Sequence, residues 1–237
     1  MKFDLHMHTH HSRDCAIPTA EVLRLCRARG LDGIAITDHN TLAGGLEAVA
    51  LAPTGFTVIP GEEIKSSEGE IIGLFLREEI PARLSPEETA GRIREQGGVV
   101  VIPHPFDPLR QSPLKTGALH RLVRADLVDA IEGLNARMAL PVHNERGVKF
   151  ARGAGLPTTA GSDGHSRQEY GRAWIEIAPF KDRDEFVANL RGATIGGGLS
   201  PFYVHFFSVV AKQRKKWATR ARKNDGTAKT PRRAKIQ

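Results

Sequence analysis

The sequence predicts an α/β fold, specifically a closed barrel of TIM type, and three observations carry that expectation. Strand-like and helix-like segments alternate for nearly 200 of the 237 residues. The strand-like segments are continuous apolar runs, as expected of strands buried on both faces of a parallel sheet. Six or more such units fit into fewer than 210 residues, which is compact for a barrel. An open doubly wound sheet is the alternative with the same alternation.

The elements follow in order. KFDLHM opens the chain as a short apolar strand. PTAEVLRLCRARG reads as a helix, with Pro18 near its first turn and Gly30 past its end. GIAIT at 33–37 is a buried strand, and 42–51 reads as a helix. FTVIP at 56–60 and EIIGLFL at 70–76 are the next strands. SPEETAGRIREQGG offers a capping box, Ser85 with Glu88 three residues on, and stops at Gly97 and Gly98. VVVIP, DAIEGL, PTTAG and WIEI are the later strands, and DRDEFVANLRG is helix-like. The barrel is expected to occupy 1–200, followed at 201–237 by an apolar segment and a basic, mobile tail.

Charge is unevenly placed. Of 34 basic and 27 acidic residues, eleven and one fall within 211–237, leaving 23 and 26 in the rest. The body is mildly acidic and the tail strongly basic, so attraction to a nucleic-acid backbone is expected from the tail alone. Two cysteines, Cys15 and Cys26, are too few for a disulfide framework. Asp4 and His6 interrupt any apolar leader, and PFYVHFFSVVA at 201–211 is too short for a membrane span, so a cytoplasmic protein is expected.

Metal-binding residue types gather at the strand ends. DLHMHTHHSRD, at 4–14, holds four of the ten histidines, His6, His8, His10 and His11. Asp38 and His39 follow GIAIT, Glu62 and Glu63 follow TVIPG, and His104 follows VVVIP. Glu132 lies in DAIEGLN, and Asp163 and His165 follow PTTAG. The anchors 6, 39, 63, 104, 132 and 163 are spaced by 33, 24, 41, 28 and 31 residues, about one β/α unit each. In a barrel these ends share one rim, and alternation sends His6 and His8 to the same face. The candidate ligands are His6, His8, Asp14, His39, Glu63, Glu70, His104, Asp163 and His165, with Glu132 either a ligand or a support for one. Since one zinc-like ion takes about four ligands, this set suits two or three divalent ions. Nitrogen and oxygen donors without thiolate suit Mn²⁺, Zn²⁺ or Fe²⁺. His10 and His11 either line the pocket or sit in the first loop.

DLHMHTHHSRD, ITDHN, IPGEE, VIPHP and GSDGH, in that order, resemble the motifs of the polymerase and histidinol phosphatase (PHP) family. AIEGLN and YGRAWIEI carry the resemblance to about residue 178. It implies a distorted (β/α)₇ barrel, a two- or three-metal centre at the C-terminal rim of the strands, and phosphoester hydrolysis. Residue by residue, His6, His8, Glu63 and Asp163 match the ligands of one metal, Glu63 and His104 those of a second, and Asp14, His39 and His165 those of a third. Where many relatives place a histidine for the second metal, this chain has Glu70, which favours a harder ion such as Mn²⁺.

The mechanism this implies uses no protein nucleophile: a metal-activated water attacks phosphorus. Arg137, Arg172 and Arg13 are candidates to grip the phosphate. Expected substrates are nucleoside 3′,5′-bisphosphates or short RNA trimmed from its 5′ end. A small metabolite ester of histidinol-phosphate type and a metallo-amidohydrolase reaction are the alternatives. The latter class often bridges its metals with a carboxylated lysine, for which Lys65, two residues past IPGEE, is the candidate.

Overall fold

Two side-chain faces per strand organise this protein, one filling a cylinder and the other lying under helices. The computed structural model describes residues 1–108 and 112–201. The basic tail, and all of the apolar segment except Pro201, lie outside the described residues.

Along the chain run β1 (Lys2–Asp4), α1 (Thr19–Ala28), β2 (Gly33–His39), α2 (Ala43–Leu51), β3 (Thr57–Ser66), β4 (Gly69–Leu74) and α3 (Pro86–Glu95). Then come β5 (Val99–Ile102), α4 (Thr116–Arg124), β6 (Ala130–Asn135), α5 (Pro141–Gly153), β7 (Thr158–Gly161), β8 (Ala173–Glu176), α6 (Arg183–Leu190) and β9 (Thr194–Gly197). The sheet order is β7-β6-β5-β4-β3-β2-β1-β8-β9. Just past β1, and along and beyond β7, the two ends meet: the Leu5 amide donates to the Ala160 carbonyl at 3.1 Å, and the Asp163 amide to that of His6 at 2.7 Å. Strands β1 to β7 thus form a nearly closed barrel, with β8 and β9 as a flap beside β1.

The barrel is not wholly parallel. β4 runs antiparallel to β3 and β5, and β8 runs antiparallel to β1 and β9. Only Ser67 and Glu68 separate β3 from β4, too few for the crossover that parallel strands need. This reversal brings the first residues of β4, including Glu70, to the rim reached by the last residues of its neighbours.

Inside the barrel lie Phe3, Leu5, Ala35, Ile59, Ile72, Leu74, Val101 and Ala130, all buried. Phe75, Phe180 and Phe186 close the bottom, with ring centroids 5.1–5.2 Å apart. The alternate residues face outwards: Ile34 and Ile36 pack under α1 and α2, while Ile71, Val100 and Ile131 pack under α3, α4 and α5. The capping box of α3 forms as expected, Ser85 Oγ accepting from the Glu88 amide at 3.2 Å. Among the described residues, no helix is long and apolar enough to cross a membrane.

Candidate metal centre

The inward alternation that fills the barrel also builds the site. On β2 the face that buries Ala35 continues to His39; on β3 the face of Ile59 continues to Glu63. On β4 Glu70 precedes Ile72, and on β6 Glu132 follows Ala130. Each polar residue lies nearer the rim than its apolar partner, because the closed bottom excludes water and the open end does not.

Glu63 sits at the centre. Its Oε2 lies 2.9 Å from His39 Nδ1, 3.4 Å from His8 Nε2 and 3.5 Å from His6 Nε2. Its Oε1 lies 2.9 Å from His104 Nε2, which is itself 3.8 Å from Glu70 Oε2. Asp163 Oδ1 lies 3.3 Å from His8 Nε2 and 3.8 Å from His6 Nε2. Asp14 bridges two imidazoles, Oδ1 at 3.4 Å from His165 Nε2 and Oδ2 at 3.5 Å from His39 Nε2. All nine ligand candidates therefore join one cluster. Four overlapping triads each bring three ligand atoms within 4.8 Å: His6–His8–Glu63, His39–Glu63–Glu70, His6–His104–Asp163 and His8–His39–His165.

Backbone shape and packing hold these groups. His104 and Asp163 have φ of 31° and 52°, the left-handed region that side-chain-bearing residues rarely adopt. Gly161 lets β7 pass His6, since a Cβ there would lie 2.2 Å from His6 Cβ. Glu132 Oε1 lies 2.9 Å from His6 Nδ1, and its Oε2 accepts from the His104 amide at 2.7 Å and from Asn135 Nδ2 at 3.0 Å. A carboxylate accepts, so His6 Nδ1 carries the proton and Nε2 faces the cluster. Ser12 Oγ lies 3.1 Å from His8 Nδ1 and donates to Asp38 Oδ1 at 2.6 Å. Asn135, Ser12 and Glu169 were not among the sequence candidates. Their amide, hydroxyl and carboxylate groups are too common to stand out without a fold.

The arginines fall differently. Arg137 is buried at the cluster, with Nε 2.9 Å from Glu169 Oε1 and Nη1 2.8 Å from His165 Nδ1. Arg172 is not brought there: its Nε donates to the Gln168 carbonyl at 3.2 Å on the surface. Arg13 is exposed on the loop after β1.

Electrostatics follow from crowding. Burial opposes charge on His6, yet Asp163, Glu132 and Glu63 outweigh it and hold its pKa well above the ordinary imidazole value. Burial likewise opposes charge on His39, and Glu63 and Asp14 outweigh it. His8 goes the other way, lowered by burial and by His165 and His39. Burial would raise Glu63 and Asp14, but the neighbouring imidazoles hold both carboxylates below their usual range. The carboxylates thus call for positive charge at more than one point. Glu63 Oε2 is fully buried with three imidazole nitrogens within 3.5 Å of it. Such a donor set fits divalent cations of the manganese, iron and zinc kind.

Fold and cluster together define the class: a distorted α/β barrel whose rim gathers side chains able to hold metal. Residues 4–95 match the model of the PHP domain, and residues 141–195 match that of the PHP-associated region. An uncharacterized protein of Methanocaldococcus jannaschii is 45% identical over 120 residues, covering 46% of this chain and 70% of that protein. A second from the same organism is 36% identical over 179 residues, covering 75% and 71%. A 5′-3′ exoribonuclease of Haemophilus influenzae is 32% identical over 105 residues, covering 42% of this chain and 38% of the enzyme. Among solved structures, a two-domain protein from Bacteroides vulgatus, described as containing a predicted PHP-like metal-dependent phosphoesterase, superposes with a TM-score of 0.68 at 19% identity. That match covers 84% of this chain and 65% of the other. The chain belongs to the PHP family.

Proposed function

We propose that this protein is a metal-dependent phosphoesterase acting on nucleotide esters, either a nucleoside 3′,5′-bisphosphate or the 5′ end of a short RNA. Glu63 carries the reading: its two oxygens face different imidazole groups, as a carboxylate bridging two cations requires. In this reading His6, His8, Glu63 and Asp163 hold one ion, Glu63, His104 and Glu70 a second, and Asp14, His39 and His165 a third. Carboxylate-rich ligation at the second position favours Mn²⁺, with Zn²⁺ and Fe²⁺ as alternatives.

Ions held there would neutralise phosphoryl oxygens and lower the pKa of water towards neutrality. The chain's own groups prepare that chemistry. Glu132 keeps His6 Nε2 turned inward, Ser12 orients His8, and Arg137 packs against His165. Two groups beside His8 are engaged elsewhere, the Ser12 hydroxyl with Asp38 at 2.6 Å and the Cys15 thiol with the His8 carbonyl at 3.5 Å and Tyr170 Oη at 3.4 Å. That supports water as the nucleophile. The amidohydrolase reading is disfavoured because Lys65 Nζ donates to Ser112 Oγ at 2.9 Å, and in the present reading Glu63 would take the bridging role. Similarity to an exoribonuclease and the basic run at 211–237 favour RNA ends, with binding that weakens as salt rises.

Product analysis on the manganese-loaded protein tests the proposal, with a short 5′-phosphorylated RNA and a nucleoside 3′,5′-bisphosphate as substrates. Released mononucleotides support the 5′-end exonuclease, and inorganic phosphate from the bisphosphate supports the phosphatase. Neither product from metal-replete protein, or full activity in Glu63→Ala, refutes the assignment.

A further inference from the structure

His10 and His11 belong to the opening histidine run but join none of the triads around Glu63. We infer that they form, with Glu47 on α2, a separate peripheral site for a divalent cation of the zinc class. One ligand atom from each of the three lies within 4.8 Å of the other two. His11 Nε2 lies 2.9 Å from Glu47 Oε2, and the two imidazole centroids are 4.3 Å apart. Two imidazoles and one carboxylate make a donor set that zinc uses with water in its fourth position. His10 is exposed, so solvent reaches that position.

The site is built on fixed supports. Asp38 accepts from the Thr9 amide at 2.7 Å, Thr9 Oγ1 at 2.6 Å, the Ser12 amide at 3.2 Å and Ser12 Oγ at 2.6 Å. These four bonds clamp the residues on both sides of His10 and His11. The His10 amide donates to the Ile17 carbonyl at 2.8 Å and the His11 amide to Thr9 Oγ1 at 3.2 Å. Across the gap, Thr19 Oγ1 donates to Glu47 Oε2 and orients the carboxylate. A bound cation would tie the loop after β1 to α2. That loop also carries Asp14, so occupancy of the peripheral site would restrain one wall of the main cluster without touching it.

The inference does not rest on the phosphoesterase proposal. Its test is equilibrium dialysis of chelator-stripped, full-length protein against buffered Zn²⁺, with zinc counted per chain. Wild type is expected to hold one ion more than the His10→Ala/His11→Ala variant. Glu47→Gln should weaken that ion selectively, while Glu63→Ala should lose zinc from the barrel and keep the peripheral ion. Zinc should also raise the melting temperature of Glu63→Ala, through binding to the folded state, by more than it raises that of a Glu63→Ala chain lacking both histidines. Equal zinc content and equal affinity in wild type and the double-histidine variant would overturn the inference.

Discussion

Glu132→Gln probes the cluster most sharply, because it keeps shape and removes one acceptor. Glu132 accepts on both sides, from His6 Nδ1 at 2.9 Å and from the His104 amide and Asn135 Nδ2 at 2.7 Å and 3.0 Å. Glutamine has a single oxygen, so it can satisfy only one side. With the oxygen towards His104 and Asn135, its amide hydrogens face His6 Nδ1 and force that nitrogen to accept. In the neutral ring that metal binding requires, the proton then sits on Nε2, the nitrogen 3.5 Å from Glu63 Oε2, and the inward lone pair is lost. Losing such a support weakens metal binding by roughly 10–100-fold, which corresponds to about 1.4–2.8 kcal/mol. With the amide reversed, the His104 amide is left facing a donor, at a cost of about 1–3 kcal/mol in stability. Calorimetric titration of chelator-stripped protein with Mn²⁺, paired with thermal melts, reads both outcomes. A variant matching wild type in both affinity and melting temperature would refute this account of Glu132.

Three further expectations concern the barrel and its pH response. Gly161→Ala would drive a methyl to 2.2 Å from His6 Cβ and part β7 from β1, so its melting temperature should drop by the equivalent of about 1–3 kcal/mol or more; an unchanged melt would show that the strands are not in tight contact there. Phe186→Ala empties the aromatic plug far from the ligands, and should cost about 3–5 kcal/mol in denaturant titration while leaving metal affinity near wild type. Burial pushes Glu62 up to about 8, with the Ile80 amide opposing and Glu79 reinforcing. The folded state therefore retains the Glu62 proton, and its contribution to stability is greatest below the ordinary value of 4.5 and is lost as pH rises towards 8. Glu62→Gln should accordingly gain in melting temperature relative to wild type between pH 5 and about 8, and a pH-independent difference would count against it.

The sequence alone determined the strand order along the chain, the α3 capping box and the list of candidate ligands. Those signals are local: an apolar run shows a buried strand, and histidine or carboxylate just past it shows a polar rim. For the same reason the β9 stretch TIGG, glycine-rich and largely exposed, was not legible. Tertiary structure alone decided that β4 runs backwards and so delivers Glu70 to the rim. It also decided that Glu132 grips His6 across 126 residues, and that Arg137 is buried against Glu169 and His165. Residue type states what a side chain can bind. Which donor faces which acceptor depends on where distant strands cross, and short-range spacing carries no record of that.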